Sequence, residues 1–492
     1  MASHKRRVAA VIAAATLALT GCAGGSFTGY VEASCAPTDA SGVTVCSTTQ
    51  KPIPTATATV TETVPGPTET VTVPGPTVTV TVTPEPAPTT AAPTPTETTV
   101  PTSSPTATPT QTTEPVAPPA TCTTAAPANG TSTPPSGDQR EYVHGVEVVK
   151  HNGQNMVVYA RNRTPLPSGD WEHDIFYSYF DACNAAATFA QKSLVSARLA
   201  QEPASAAVNT DGRLNITAED QQYSADLDQT FGIWGPAMEA VKPYGQRLMS
   251  PQGGHSGHVA ASGRNFGISF SDGWVDGGGV DNLGTGDDVF FRAMDSAGNL
   301  MPITNTAVGT SRDWWPIVAG SDTNYLQVWQ RYGTAGTGGG TVMGAIIDGT
   351  GKVIKAAFPI FTNNKYYYHD VQYIPQTGQF LVTGSQNSTT NAGIAVLVDK
   401  AGTVVATKSG LPNTVREGQT VLSDDGKTAV YPGGTGAVVL NLTATGITLQ
   451  KQVPLTGITW SYMGTDGVFA DPTRVVFATG TTTGIKFINV PL

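Results

Sequence analysis

From Tyr142 to the C-terminus a tight polar turn followed by a β-branched or aromatic run recurs seven times, and this recurrence narrows the architecture more than any other property of the chain. The turns are His151-Asn152-Gly153-Gln154, Asn209-Thr210-Asp211-Gly212, Ser262-Gly263-Arg264-Asn265, Ser321-Asp322-Thr323-Asn324, Pro375-Gln376-Thr377-Gly378, Asp424-Asp425-Gly426-Lys427 and Asp471-Pro472-Thr473-Arg474. The fourth unit shows the layout most plainly. Trp315 to Ala319, Tyr325 to Trp329, Val342 to Ile347 and Val353 to Ala356 read as four strands of one meander. A second turn repeats as Asp295-Ser296-Ala297-Gly298, Asp348-Gly349-Thr350-Gly351 and Asp399-Lys400-Ala401-Gly402. Asp there can accept from the backbone two residues on, and Gly takes a positive φ. Four-stranded units of about fifty residues predict an all-β fold, a seven-bladed β-propeller over residues 138–492. A tandem two-sheet sandwich is the alternative. The last unit stops at its third strand, Ile485 to Val490, so a strand from just before Tyr142 is expected to complete it.

Upstream the composition changes abruptly. Residues 51–137 hold 20 of the 36 prolines and no Phe, Trp or Tyr. Such a segment has too little apolar surface to bury a core, and its prolines favour extended polyproline II. It is read as a disordered Pro/Thr-rich stalk, at ~3.1 Å per residue able to reach at most ~270 Å. Its threonines are potential sites of O-linked sugars.

At the N-terminus His4-Lys5-Arg6-Arg7, an apolar run from Val8 to Leu19 and Leu19-Thr20-Gly21-Cys22 follow one another. A basic stretch, a short apolar stretch and small residues mark an export signal, whereas a spanning helix needs about 20 apolar residues. Leu19-Thr20-Gly21-Cys22 resembles the lipobox of bacterial lipoproteins. The resemblance implies removal of residues 1–21, lipidation (palmitate among the acyl chains) of Cys22, and tethering to the extracytoplasmic face of the cell membrane. Four cysteines remain, an even number for an exported chain in which disulfides persist. The sequence-local pairing is Cys35 with Cys46 in the segment 22–50, and Cys122 with Cys183 fastening stalk to domain. Leu422-Ser423-Asp424-Asp425-Gly426-Lys427 resembles the Ser-Pro-Asp-Gly-Lys turn of bacterial surface and periplasmic propellers, with Asp424 in place of the proline.

The formal net charge of -10, with no Lys/Arg cluster outside the signal, argues against a nucleic-acid partner. In a propeller meander, innermost-strand starts and second-to-third-strand loops share one face. Blade starts place His144, His255, His258, Asp313, His369, Asp370 and Glu417 there. The loops add Asp170, Glu172, Asp174, Asp220, Asp226, Asp228, Asp276, Asp281, Asp287 and Asp288, making an acidic rim with Trp274 available for stacking. His144, His258, Asp313, His369, Asp370 and Glu417 are the candidates for acid, base or nucleophile. Asp276, Asp281, Asp287 and Asp288 are candidate ligands for calcium, which accepts irregular oxygen donors. His255 and His258, an H-x-x-H pair on a strand, face opposite ways and do not share one zinc.

Gly254-His255-Ser256-Gly257 lacks the spacing of a nucleophile elbow, and the glycines from Gly333 to Gly340 precede no Lys-Ser or Lys-Thr. Neither a serine hydrolase nor a nucleotide site follows. Two functions fit: a lipid-anchored module that binds a cell-envelope glycan, peptide or surface protein, or an envelope or extracellular enzyme acting on polysaccharide, a glycoside hydrolase or lyase.

Overall fold

The computed structural model describes residues 145–162, 173–196, 203–220, 227–249, 254–271, 288–307, 311–332, 339–387, 391–482 and 484–492, with Cys122 and the backbone of a few further strand residues. It divides into two units, Met1–Gln111 and Thr112–Leu492. In the first unit Gly29–Cys35 pairs antiparallel with Cys46–Pro52, which sets the backbone of Cys35 opposite that of Cys46. The side chains of both cysteines, and Cys22, lie outside the described residues.

The second unit is a seven-bladed β-propeller. Blade 1 comprises Val143–His151, Gln154–Asn162, His173–Phe180 and Lys192–Val195; blade 2, Ser205–Val208, Leu214–Asp220, Asp228–Trp234 and Ala240–Arg247. Blade 3 comprises His255–Ser262, Asn265–Asp272, Asp288–Met294 and Leu300–Ala307. Blade 4 opens with Arg312–Gly320, Asn324–Tyr332 and Gly340–Asp348; its last strand, Val353–Ile374, runs on without a break to become the first strand of blade 5. Blade 5 continues with Gln379–Gln386, Gly393–Asp399 and Val404–Leu411, and blade 6 is Val421–Leu422, Thr428–Gly433, Gly436–Thr443 and Gly446–Pro454. Blade 7 has Thr465–Asp471, Arg474–Thr481 and Gly484–Pro491, and its fourth strand is Gly130–Thr131, paired to Phe487 and Lys486.

Every one of the seven sequence-read turns joins the first and second strands of a blade. The second turn works as its chemistry demands. Asp348 Oδ1 accepts from the backbone N–H of Thr350 (2.8 Å) and Lys352 (3.0 Å), and Gly351 sits at φ 92°. Asp295 and Asp399 accept from the equivalent N–H groups, with Gly298 at φ 78° and Gly402 at φ 79°.

A β-sheet must bury both faces when sheets stack radially, which is why strand runs such as Leu214–Asp220 and Asp228–Trp234 are buried at every position. Apolar clusters fill each seam. Val158, Ile175, Leu214 and Ile216 join blades 1 and 2; Phe231, Leu248, Phe266 and Ile268 join blades 2 and 3; Leu326, Ile346, Phe380 and Val396 join blades 4 and 5. The ring closes where Val157, Tyr159 and Phe176 of blade 1 meet Val476, Ile485 and Phe487 of blade 7.

The closing seam carries a covalent clamp. Cys122 is bonded to Cys183 across a sequence separation of 61, which by the chain-entropy estimate stabilises the closed ring by about 4 kcal/mol. Cys122 and Gly130–Thr131 fall inside the stretch read from composition as stalk, so these residues are part of the propeller. Among the described residues no helix is long and apolar enough to cross a membrane.

Candidate functional site at the mouth of the central channel

The seven first strands surround a cavity of about 750 Å³. Each first strand is an edge strand, so its outward-facing N–H and C=O groups need partners that no fifth strand supplies. Polar contacts between neighbouring blades satisfy several of them. Ser205 Oγ of blade 2 accepts from Val259 N of blade 3 (3.1 Å), and His258 Nδ1 of blade 3 pairs with Pro316 O of blade 4 (2.9 Å). His369 Nε2 of blade 5 pairs with Trp315 O of blade 4 (3.1 Å), while Asp370 Oδ2 accepts from Thr420 N of blade 6 (2.7 Å). Asp466 Oδ2 of blade 7 accepts from Val148 N of blade 1 (2.6 Å).

This arrangement sets the protonation of the channel. Burial pushes the Asp370 carboxyl up to about 6, against the opposing pull of the Thr420 N–H. Burial, with the charge of Asp370 added, pushes Asp466 up to about 7. Glu147 of blade 1 is raised well above the usual range by burial and then by Asp466, while Gln419 and Ser205 hydrogen-bond it. Three carboxyls thus share one cavity and retain protons where isolated carboxylates would not. Burial pushes His369 down to about 3, so its ring is neutral. A carbonyl only accepts, so the proton sits on Nε2; Nδ1 is then a buried acceptor without a hydrogen-bond partner.

The backbone at the mouth is unusual. First strands enter through residues with left-handed φ: Gly145 (66°), Ser256 (53°), Trp315 (53°), Tyr367 (63°), Glu417 (53°) and Gly464 (120°). Pairing registers shift at four of these entries, in blades 1, 3, 4 and 5. At Gly145 glycine is required, because a Cβ would lie 2.3 Å from Ala204 N of the next blade. Ser256, Trp315, Tyr367 and Glu417 carry side chains there at a cost of about 1–3 kcal/mol each, and such strain concentrates at functional sites.

Of the residues singled out from sequence, His258, His369, Asp370 and Glu417 line the one cavity. Asp313 does not join them. It stands ahead of the blade 4 bulge, and its carboxylate is buried in strand packing, accepting from Trp329 Nε1 (2.6 Å) and Arg331 Nε (2.7 Å). The side chain of His144 lies outside the described residues, as do Asp170, Glu172, Asp226, Trp274, Asp276, Asp281 and Asp287. Asp288 begins a strand opposite Asp272, and Asn305 Nδ2 donates to it at 3.4 Å. Among the described residues no group of three or more His, Cys, Asp or Glu is placed to hold a metal ion.

The rim is also less open than the loop pattern implies. Asp174, Asp220 and Asp228 are buried strand residues, Asp228 paired with Arg247 at 2.9 Å. His255 and His258 do separate work: His255 meets Glu219 (2.8 Å) and Ser256, away from the His258–Pro316 contact. Glu147, Ser205, Gln419 and Asp466 escaped the sequence reading. For Glu147 and Ser205 the available signal was a polar residue set in a short apolar first strand, as in Val146-Glu147-Val148-Val149.

Around the mouth, aromatic rings gather on the side of blades 4 to 7. Trp315 packs edge-on to Tyr367 (4.4 Å between centroids) and to His258 (5.1 Å), and Tyr462 stands 60% exposed.

No protein-family model matches the chain, and no curated protein matches it. Among solved structures it is similar to the polysaccharide lyase Uly1, at 9% identity over 71% of this chain and 90% of that one, with a TM-score of 0.44. It is similar to the α-L-arabinofuranosidase Arb93A from Fusarium graminearum at 11% identity, covering 75% and 98%, with a TM-score of 0.41. The Hadza microbial sialidase Hz136 matches at 12% identity over 66% and 75%, with a TM-score of 0.37.

Proposed function

We propose that this propeller binds a glycan at the mouth of its central channel and presents that site outward from the cell membrane. The observation that carries the reading is the convergence of His258, Trp315, His369, Asp370 and Glu417 on one cavity, with exposed Tyr462 on the same side. Hydroxyl-rich ligands need a few directed acceptors and donors beside an apolar ring face, and this mouth supplies both. Lipidated Cys22 would anchor the chain, and the Pro/Thr-rich segment would hold the domain away from the lipid surface. Palmitate labelling of cells expressing the wild-type and Cys22→Ala chains tests the anchor: label on the wild type alone supports it, and equal label on both refutes it.

A second reading is turnover of the bound polysaccharide. Asp370 and Asp466, raised to about 6 and about 7, favour it, since a general acid must hold its proton near the working pH. A panel of envelope and extracellular polysaccharides, scored for binding and for new reducing ends, separates the two. Retention without product supports the module. Product that is lost in Asp370→Asn, with the fold intact, supports the enzyme; neither retention nor product refutes both.

A further inference from the structure

We infer that the glycan is acidic, and that Arg416 takes its carboxylate. The inference rests on the glycan reading above and adds the chemical class of the sugar. Arg416 adjoins Glu417 of the cavity wall, and its side chain is 33% exposed. Three groups hold its guanidinium. Glu417 Oε1 accepts from Nε at 2.9 Å, the Tyr367 ring lies 4.4 Å from Cζ, and the Tyr462 ring lies 5.7 Å from it.

The clamp fixes the plane without using the fork. Among the described residues the Nε bond is the sole hydrogen bond of Arg416, so both terminal Nη groups keep their donors. A guanidinium held flat with its two Nη groups open matches the two oxygens of a carboxylate, and preorganisation removes the cost of immobilising a long side chain. Two of the clamping residues, Tyr367 at φ 63° and Glu417 at φ 53°, occupy strained backbone, and Glu417 N donates to Tyr367 O at 3.1 Å to hold them together. The strain and the clamp therefore serve one side chain. Tyr462, largely exposed beside the guanidinium, offers the face on which the sugar ring of a uronate would stack.

Titration calorimetry with oligogalacturonate and with its methyl ester tests this on the wild-type protein. The ester keeps the sugar and removes the charge. Tighter binding of the acid, by roughly tenfold or more, is expected. Arg416→Gln should erase that preference, Arg416→Lys should restore little because an ammonium lacks the fork, and Tyr462→Ala should weaken both ligands together. Equal affinity for acid and ester in the wild type overturns the inference while leaving the glycan reading in place. Binding of neither, with no other polysaccharide retained, overturns both. Since acid and ester are compared on the unaltered chain, a misfolded variant does not decide the outcome.

Discussion

Asp348, in a turn of blade 4, and Asp370, in the channel wall of blade 5, carry the same side chain under opposite electrostatics. Burial pushes Asp348 up, yet the bonds from Thr350 and Lys352 outweigh it and hold the carboxyl below its usual range. For Asp370 burial wins over its bonds from Thr420 and Gln372, and the carboxyl rises to about 6. Asp425, held down first by the Ser423 hydroxyl, sides with Asp348; Asp466 sides with Asp370. One residue type therefore does two jobs. At the turns hydrogen bonds favour its ionised form and it fastens hairpins, and in the channel burial holds its proton to higher pH while it joins blades.

The two groups pull stability in opposite directions with pH. The lowered turn carboxylates contribute above their unfolded values and lose that contribution as pH falls below about 4. The raised channel carboxyls contribute fully below about pH 4 and lose it as pH rises toward 6 and 7. From these groups, stability should be greater at pH 5 than at pH 8.

The largest expected effect follows from removing the channel charges. Asp370→Asn keeps an oxygen for Thr420 N–H, and at pH 8 it should recover up to about 3 kcal/mol. Combined with Asp466→Asn and Glu147→Gln, which removes the third raised carboxyl, it should flatten the melting temperature between pH 5 and pH 8. A triple variant that still melts lower at pH 8 would show that the channel carboxyls do not set this dependence. Next in size, Asp348→Ala strips the acceptor from Thr350 and Lys352 and should lower stability at pH 7 by about 1 kcal/mol, measured by urea unfolding. A gain there would show that the turn carboxylate is not a fastener. Smallest is Tyr462→Ala, which leaves the core untouched and should move stability by less than about 0.5 kcal/mol while reducing glycan affinity.

How much of this was legible depended on the period of each signal. The turns were, because turn chemistry is local and repeats: the blade count follows from the seven polar turns between first and second strands, and Asp-x-x-Gly marks the third-to-fourth-strand turn in three blades. The clamp of Cys122 on Cys183 was also legible from cysteine arithmetic. Asp313 misled because sequence position near a blade start does not say which side of the bulge a side chain falls on. The left-handed Trp315 intervenes, and Asp313 ends up in strand packing while His369 and Asp370 reach the channel. Glu147 and Asp466 were hidden by the strand period itself. In a propeller both faces of a blade are covered, so a lone acid in an apolar run reads as an ordinary alternation until seven first strands are brought around one axis. Arg416 carried no signal at all, since its clamp is assembled from Tyr367, Glu417 and Tyr462, which meet only in the folded ring.

On the proposed reading, ligand binds at the channel mouth, on the side of blades 4 to 7. Diffraction from crystals soaked with the tightest-binding oligosaccharide tests it most directly. Sugar density is expected between Tyr462, Arg416 and the cavity lined by His258 and Glu417. Density on the outer strands of the blades, with the mouth occupied by solvent alone, would contradict it.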